Sequence, residues 1–243
     1  MVEIFLKHVL GIGSEHKGLY GDTAAYYGTV EEPGRLNLHL HMLIWIANAL
    51  TPQEIRDKIM DKKADFQKAM VEYLEGVHCG EFIGTDMAGM QSKLEEKYYK
   101  NPKESDPTCT LPVSPPDSCT THQEELEDDC EQCTALRDWR NQFRDTTNEL
   151  LYRSNKHNCH AGCTSVKYPT CKSRFPRELH EETLVDLDSG SLRLKKGEKW
   201  LNTFSPVLTY VSRCNTDITS LLSGTAIKSI IAYVTDYITK TPL

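Results

Sequence analysis

The sequence predicts an α+β fold, in which helices flank an antiparallel sheet and a small Cys/His subdomain accompanies them. Residues 38–45 alternate in side-chain character with a period of two, which is typical of a well-buried strand. Apolar residues at helical spacing recur before and after this strand, and two histidines and three cysteines gather in residues 157–171. A length of 243 residues suits one large domain, or one domain with an inserted subdomain.

His39-Leu40-His41 lies at the centre of the predicted strand. Alternate side chains share a strand face, so the two imidazoles project together, about 6–7 Å apart. Two ring nitrogens at this spacing can converge on one divalent ion. Two partly buried structural histidines are the alternative interpretation.

A turn upstream of the histidines predicts a hairpin. Glu32-Pro33-Gly34-Arg35 has Pro and Gly at the central positions of a type II turn, which would return Ala24–Val30 as an antiparallel partner. A strict two-residue turn places Glu32 on the histidine face, whereas a three-residue or bulged turn places Glu31 there. Two imidazoles and a carboxylate can hold Mg²⁺ or Mn²⁺ and leave positions for phosphate oxygens.

Helix signals follow the histidine strand. Thr51-Pro52-Gln53-Glu54 is a capping-box sequence with proline at the first helical position, so a helix begins there. Apolar spacing predicts further helices over residues 1–10, Asp65–Gly76 and Ala135–Arg153, and a strand over Pro206–Ser212.

Ser223–Lys240 is predicted as a helix with an apolar stripe of isoleucine and valine. Tyr233, Tyr237 and Lys240 stand at i, i+4 and i+7, so they form a neighbouring stripe along the edge of this helix. Two half-buried tyrosines of the core are the alternative interpretation.

His157, Cys159, Cys163 and Cys171 have the residue types of a closed tetrahedral Zn²⁺ site. His160 is an alternative to His157 as the nitrogen ligand, and scattered buried cysteines are the alternative to a site. Cys130-x₂-Cys133 is a separate candidate pair, which we interpret as incidental within an acidic linker. The odd count of nine cysteines favours reduced thiols and metal over a disulfide framework.

Charge is unevenly distributed along the chain, whose net charge is −7. Asn101–Ala135 holds nine acidic residues against Lys103 alone, a net charge of −8, so the remaining residues together carry +1. Five prolines in residues 101–120 mark the same segment as an exposed insertion or linker. Leu151–His180 is basic, with Arg153, Lys156, Lys167, Lys172, Arg174 and Arg177 against Glu178, and offers a face to a phosphate backbone.

The predicted organisation has four parts. The first part of a domain that carries the histidine pair covers 1–100, and the acidic insertion or linker covers 101–135. A helix and the Cys/His cluster cover 136–180, and a strand and the tyrosine helix complete the domain over 181–243. No stretch approaches eighteen apolar residues, so no membrane partner is expected.

Six segments taken together carry a more specific pattern. They are Tyr27-Gly28-Thr29-Val30-Glu31, Gly34-Arg35, His39-Leu40-His41-Met42-Leu43, Cys171-Lys172-Ser173-Arg174-Phe175-Pro176-Arg177, Cys214-Asn215-Thr216-Asp217 and Ala232-Tyr233-Val234-Thr235-Asp236-Tyr237-Ile238-Thr239-Lys240. This pattern resembles the replication-initiator domain of Helitron rolling-circle transposases, a two-tyrosine HUH endonuclease also called the Helitron helicase-like domain. The resemblance spans most of the chain and is weakest between roughly Gly80 and Cys133.

The resemblance implies metal-dependent nicking and strand transfer on single-stranded DNA, in the nucleus, through a 5′-phosphotyrosine. It implies Tyr233 or Tyr237 as nucleophile and Lys240 as the catalytic residue that favours the phenolate. It also implies Glu31, which follows a hydrophobic residue, as the carboxylate beside His39 and His41. It also implies that more of the domain precedes Met1. A helicase follows this domain in the family, but no Gly-x₄-Gly-Lys-[Ser/Thr] occurs here, so a helicase partner would be encoded separately or lost.

Two other classes of function remain open at this point. One is a catalytically inactive transposon remnant that binds DNA or protein. The other is a metal-dependent hydrolase in which water, not tyrosine, attacks the phosphate.

Overall fold

The chain folds into a mixture of helices and small antiparallel sheets, which agrees with the α+β prediction at this coarse level. The computed structural model describes residues 2–32, 38–61, 64–122, 127, 129–164, 169–186, 191–222 and 227–232. Its helices are α1 (Val2–Ile4), α2 (Pro52–Met60), α3 (Ala64–Val77), α4 (Met87–Lys100), α5 (Glu131–Leu150) and α6 (Pro206–Ser212), and residues 227–232 are also helical. Its strands are β1 (Thr23–Glu31), β2 (His39–Ile46), β3 (Leu184–Asp186) and β4 (Ser191–Arg193).

Short turns extend or connect these elements. The π-helical turn Phe5–Val9 continues α1, and a second one, Leu151–Asn155, continues α5. Two 3₁₀ turns cover Pro107–Cys109 and Ala161–Cys163. Among the described residues, no helix has both the length and the apolar content needed to cross a membrane.

The chain divides into two compact units. The first comprises the described residues of Met1–Glu72, Val185–Leu192 and Ser220–Leu243, and the second those of Tyr73–Leu184 and Arg193–Thr219. The division falls within α3, between Glu72 and Tyr73.

The hairpin predicted in the first unit is present. Strand β1 pairs antiparallel with β2, with Glu31 opposite His39 and Thr29 opposite His41. Residues 32–38 therefore connect the strands, a longer connection than either turn considered above, and Pro33–Asn37 lie outside the described residues.

The prediction of a well-buried strand was wrong for the described structure. Leu38, Leu40 and Trp45 are exposed, because the described sheet here has only two strands.

Helix α2 begins where the capping box predicts. The Thr51 hydroxyl accepts from the Glu54 backbone N–H at 3.3 Å, and the Glu54 carboxylate accepts from the Thr51 backbone N–H at 2.8 Å. Ile55 and Ile59, one turn apart, are the buried residues of this helix. The predicted helix over Asp65–Gly76 is confirmed as α3, and that over Ala135–Arg153 as most of α5 and its π-helical turn.

The second unit has the larger core. Helix α4 contributes Met90 and Leu94 from one face, and Asn148 on α5 bonds both backbone groups of Ile83 with its side-chain amide. A backbone bridge between Cys79 and Phe204 joins distant parts of the chain. The core residues are Phe82, Met90, Leu94, Leu151, Leu201 and Phe204.

The predicted strand over Pro206–Ser212 was wrong, because these residues form α6. Pro206 occupies the first helical position, and the Ser205 hydroxyl accepts from the Leu208 backbone N–H at 3.4 Å. Thr209 and Tyr210 are buried, while Val207 and Val211 on another face are exposed. Apolar residues without alternation therefore belonged to a helix.

The acidic segment is more firmly attached than its composition predicts. The Tyr210 hydroxyl donates to the Val113 carbonyl and accepts from the Val113 N–H, both at 3.1 Å. The Trp139 indole N–H also donates to the Val113 carbonyl, at 2.9 Å. Pro107 and Cys119 are buried. Residues 107–119 thus lie against α5 and α6, although most of their side chains are exposed.

Candidate metal centres

Glu31, His39 and His41 come together at one end of the hairpin. The two histidines alternate along β2, and Glu31 lies directly opposite His39, so all three side chains project from the same sheet face. One ligand atom from each lies within 4.8 Å of the others. The hairpin register therefore assembles two nitrogens and a carboxylate oxygen at one point.

The side chains of this Glu/His/His cluster are partly open to solvent. Nε2 of His41 lies 2.9 Å from Oε1 of Glu31, at hydrogen-bonding distance. The ring centroids of His39 and His41 are 6.5 Å apart, with planes inclined at 63°. The side chains of His41 and Glu31 retain 28% and 26% of their exposure, and His39 is exposed. An ion at this point would keep coordination positions for other ligands.

The choice between the two glutamates follows from the register. Glu31 ends β1 and reaches His41, whereas Glu32 lies beyond the strand, is exposed and is outside the cluster.

The candidate nucleophiles Tyr233 and Tyr237, and Lys240 with them, lie outside the described residues. Of the predicted tyrosine helix, residues 227–232 are described and are helical. Ile227 and Ile230 are half-buried there, and Ile231, which was assigned to the core stripe, is exposed.

His157, Cys159, Cys163 and Cys171 form a second cluster, in which one ligand atom of each residue lies within 4.8 Å of the others. Nε2 of His157 lies 3.3 Å from the Cys171 sulfur and 3.7 Å from the Cys163 sulfur. Ligands of a tetrahedral zinc ion, with bonds of about 2.0 to 2.3 Å, lie about 3.3 to 3.8 Å apart. This cluster, called here the His157 cluster, has the geometry to hold a metal such as zinc.

The His157 cluster is positioned by backbone bonds and ring stacking. The Lys172 N–H donates to the Cys163 carbonyl at 2.8 Å, which ties together the two segments that carry the cysteines. The Phe175 ring stacks on His157, with centroids 4.3 Å apart and planes inclined at 7°. Phe175, Cys163 and Cys171 are buried, and Trp200 packs against them.

Electrostatics in the His157 cluster favour the metal-binding forms of two ligands. Burial lowers the pKa of His157, with further lowering by His160 and Arg177, so the neutral imidazole is favoured. The backbone N–H of Phe175 lowers the pKa of the Cys171 thiol. By contrast, partial desolvation and the neighbouring Cys171 and Cys163 thiols raise the pKa of Cys159.

His160 has a different role from the one considered as an alternative. Its Nδ1 accepts from the Gly162 backbone N–H at 3.0 Å, so it caps the 3₁₀ turn Ala161–Cys163. The structure brings His157, and not His160, to the three cysteines.

A third group, missed by sequence reasoning, consists of Cys119, His122, Cys130 and Cys133. The signal was present as Cys-x₂-His followed by Cys-x₂-Cys, but the acidic and proline-rich composition led us to interpret the cysteines as incidental.

Comparisons with protein-family models, with curated proteins and with solved structures found no match for this chain.

Proposed function

We propose that this protein nicks single-stranded DNA and transfers the cut strand, using a divalent cation held by Glu31, His39 and His41. The observation that carries the proposal is the convergence of these three side chains on one exposed face of the hairpin. The residue pattern shared with Helitron initiator domains supplies the reaction type.

The cluster suits Mg²⁺ or Mn²⁺ better than a structural zinc ion. It has one carboxylate, two imidazoles and no thiolate, and it is partly open to solvent. A bound cation would polarise a non-bridging phosphate oxygen and orient the scissile bond. Glu31 and His41 lie at hydrogen-bonding distance from each other. On ion binding, each would exchange this contact for a bond to the ion.

In the proposed reaction, the phenolic oxygen of Tyr233 or Tyr237 attacks the scissile phosphorus. The new bond joins tyrosine to the 5′-phosphate, the bond to the 3′ oxygen breaks, and a proton passes to that oxygen to leave a free 3′-OH. A phenol has an ordinary pKa of about 10, so Lys240 is proposed to favour the phenolate. Two tyrosines would allow one to hold a cut end while the other makes a second cut.

The His157 cluster is proposed to hold a structural Zn²⁺. Four protein ligands close the site, and two of its three cysteines are buried, so water has little access as a further ligand. Exposed Lys172 and Arg174 lie on the connected loop, where they could contact a DNA backbone.

The test is covalent capture of DNA. A single-stranded oligonucleotide incubated with the protein and Mn²⁺ is expected to give an adduct that survives boiling in detergent and maps to Tyr233 or Tyr237. The double substitution Tyr233→Phe, Tyr237→Phe should abolish the adduct and leave Mn²⁺ binding intact. Tyr99→Phe, which changes an exposed tyrosine on α4, is the matched control and should retain the adduct.

Calorimetric titration tests the cation site separately from chemistry. Mn²⁺ binding should weaken by about tenfold or more in Glu31→Gln and be lost in His39→Ala, His41→Ala, because ligands are removed. Glu32→Gln should bind as the unsubstituted protein does. Cleavage without an adduct would indicate attack by water, and DNA binding without cleavage in any form of the protein would indicate a binding module.

A further inference from the structure

The group formed by Cys119, His122, Cys130 and Cys133, called here the Cys119 cluster, is a second set of four ligands in the second unit. Its four ligand atoms lie within 4.8 Å of one another. The Cys119 sulfur lies 3.5 Å from His122 Nδ1 and 3.8 Å from the Cys130 sulfur. The Cys133 sulfur lies 3.5 Å from the same His122 nitrogen.

These separations match the edges of a zinc tetrahedron. Sulfur ligands at about 2.3 Å from one ion lie about 3.8 Å apart, and a sulfur and an imidazole nitrogen lie about 3.5 Å apart. The set of three thiols and one imidazole is also the same as in the His157 cluster.

Local backbone structure prepares these thiols as ligands. Cys130 precedes the first residue of α5 and Cys133 lies in its first turn, so the start of the helix fixes the spacing of these two thiols. The His122 backbone N–H donates to the Cys119 sulfur at 3.4 Å.

A disulfide does not account for the arrangement. The Cys119 and Cys130 sulfurs are 3.8 Å apart, against a bond length of about 2.05 Å. A disulfide between any two of the three cysteines would also leave the third thiol and the imidazole together without a partner, whereas one ion engages all four groups.

We propose that the Cys119 cluster binds a second Zn²⁺, which fastens the acidic segment to the beginning of α5. The described residues of this segment include few buried side chains, and Val113, which precedes the cluster in the chain, is held by Trp139 and Tyr210. The ion links residues 119–122 to residues 130–133 and so fixes the part of the acidic segment that leads into α5. The proposal does not depend on DNA cleavage.

Metal analysis of the purified, reduced protein tests the proposal. Two zinc ions per chain are expected in the unsubstituted protein and one in Cys130→Ser, Cys133→Ser. Cys109→Ser, which changes an exposed thiol outside both clusters, should retain two. Cys163→Ser, Cys171→Ser should also retain one, so the two sites are counted separately. Unchanged zinc content in Cys130→Ser, Cys133→Ser would overturn the proposal.

Alkylation of the unsubstituted protein provides a test that does not depend on the folding of a variant. Cys119, Cys130 and Cys133 should resist iodoacetamide until a zinc chelator is added and should then react together. Cys109 should react at the same rate with and without the chelator. Equal labelling of the three cluster cysteines in both conditions, or a disulfide between two of them, would overturn the proposal.

Discussion

At the residue scale, part of the basic charge in Leu151–His180 is neutralised inside the protein. The side chain of Glu149 is 4% exposed, and it accepts hydrogen bonds from Lys97 at 2.9 Å, the Tyr98 hydroxyl at 2.6 Å and Arg153 at 2.8 Å. Arg153 also pairs with Asp106 at 3.0 Å. Arg153 therefore stabilises the second unit. The basic face predicted from composition has fewer positive charges available to a ligand than the sequence count of Lys and Arg indicates.

This network predicts a stability that depends on pH. Burial raises the pKa of Glu149, but the hydrogen bonds from Lys97, Tyr98 and Arg153 outweigh it and hold the pKa below 4.5. A carboxyl whose pKa is lowered by folding adds stability above its unfolded pKa, and that stability is lost as pH falls through the folded pKa. Glu149→Gln should therefore lower the free energy of unfolding by about 2 kcal/mol at pH 7.

Urea unfolding at a series of pH values measures this effect. The difference between the unsubstituted protein and Glu149→Gln should shrink as the pH is lowered below 4.5. Glu95→Gln, on an exposed face of α4, is the matched control and should change stability by less than about 0.5 kcal/mol. A difference that stays constant with pH would contradict the ionic role of Glu149.

At the element scale, local signals were reliable where the hydrogen-bond partners lie only a few residues apart in the chain. The capping box placed the beginning of α2, since its partners are three residues apart. The hairpin was also predicted, but its register was not, because the connection is longer than the turn signal indicated. Helix α6 was taken for a strand, since seven residues are too few for periodicity to decide without the Ser205 cap.

Removal of the α2 cap provides an element-scale prediction. Thr51→Ala should lower the stability of the first unit by about 1 kcal/mol, because it leaves the Glu54 backbone N–H without its side-chain acceptor. Thermal unfolding followed by circular dichroism is the measurement. Gln53→Ala, which removes an exposed side-chain bond to Asp57 on the same helix, should have less than half this effect.

At the scale of the whole molecule, the two units are built differently. The first unit's described buried core is small, with Leu10, Ile55 and Ile59 as its large apolar members. The second unit has a larger apolar core and both Cys/His clusters. Metal is therefore expected to contribute mainly to the stability of the second unit.

A chelator experiment follows from this difference. Zinc removal should lower the midpoint of thermal unfolding by ~10 °C or more, and added Zn²⁺ should restore it. In His39→Ala, His41→Ala the loss on chelation should be the same, since those residues belong to the first unit. A midpoint unaffected by chelation would contradict a stabilising role for metal in both Cys/His clusters.

The sequence by itself determined the features that depend on neighbouring residues. Alternation along a strand placed His39 and His41 on one face, and spacing brought out His157 with Cys159, Cys163 and Cys171. Tertiary structure alone decided which donors converge. It gave His160 to a turn and brought Cys119 and His122 to Cys130 and Cys133. The reason is physical: periodicity and capping follow from local backbone geometry, whereas convergence depends on loop closure and packing between distant residues.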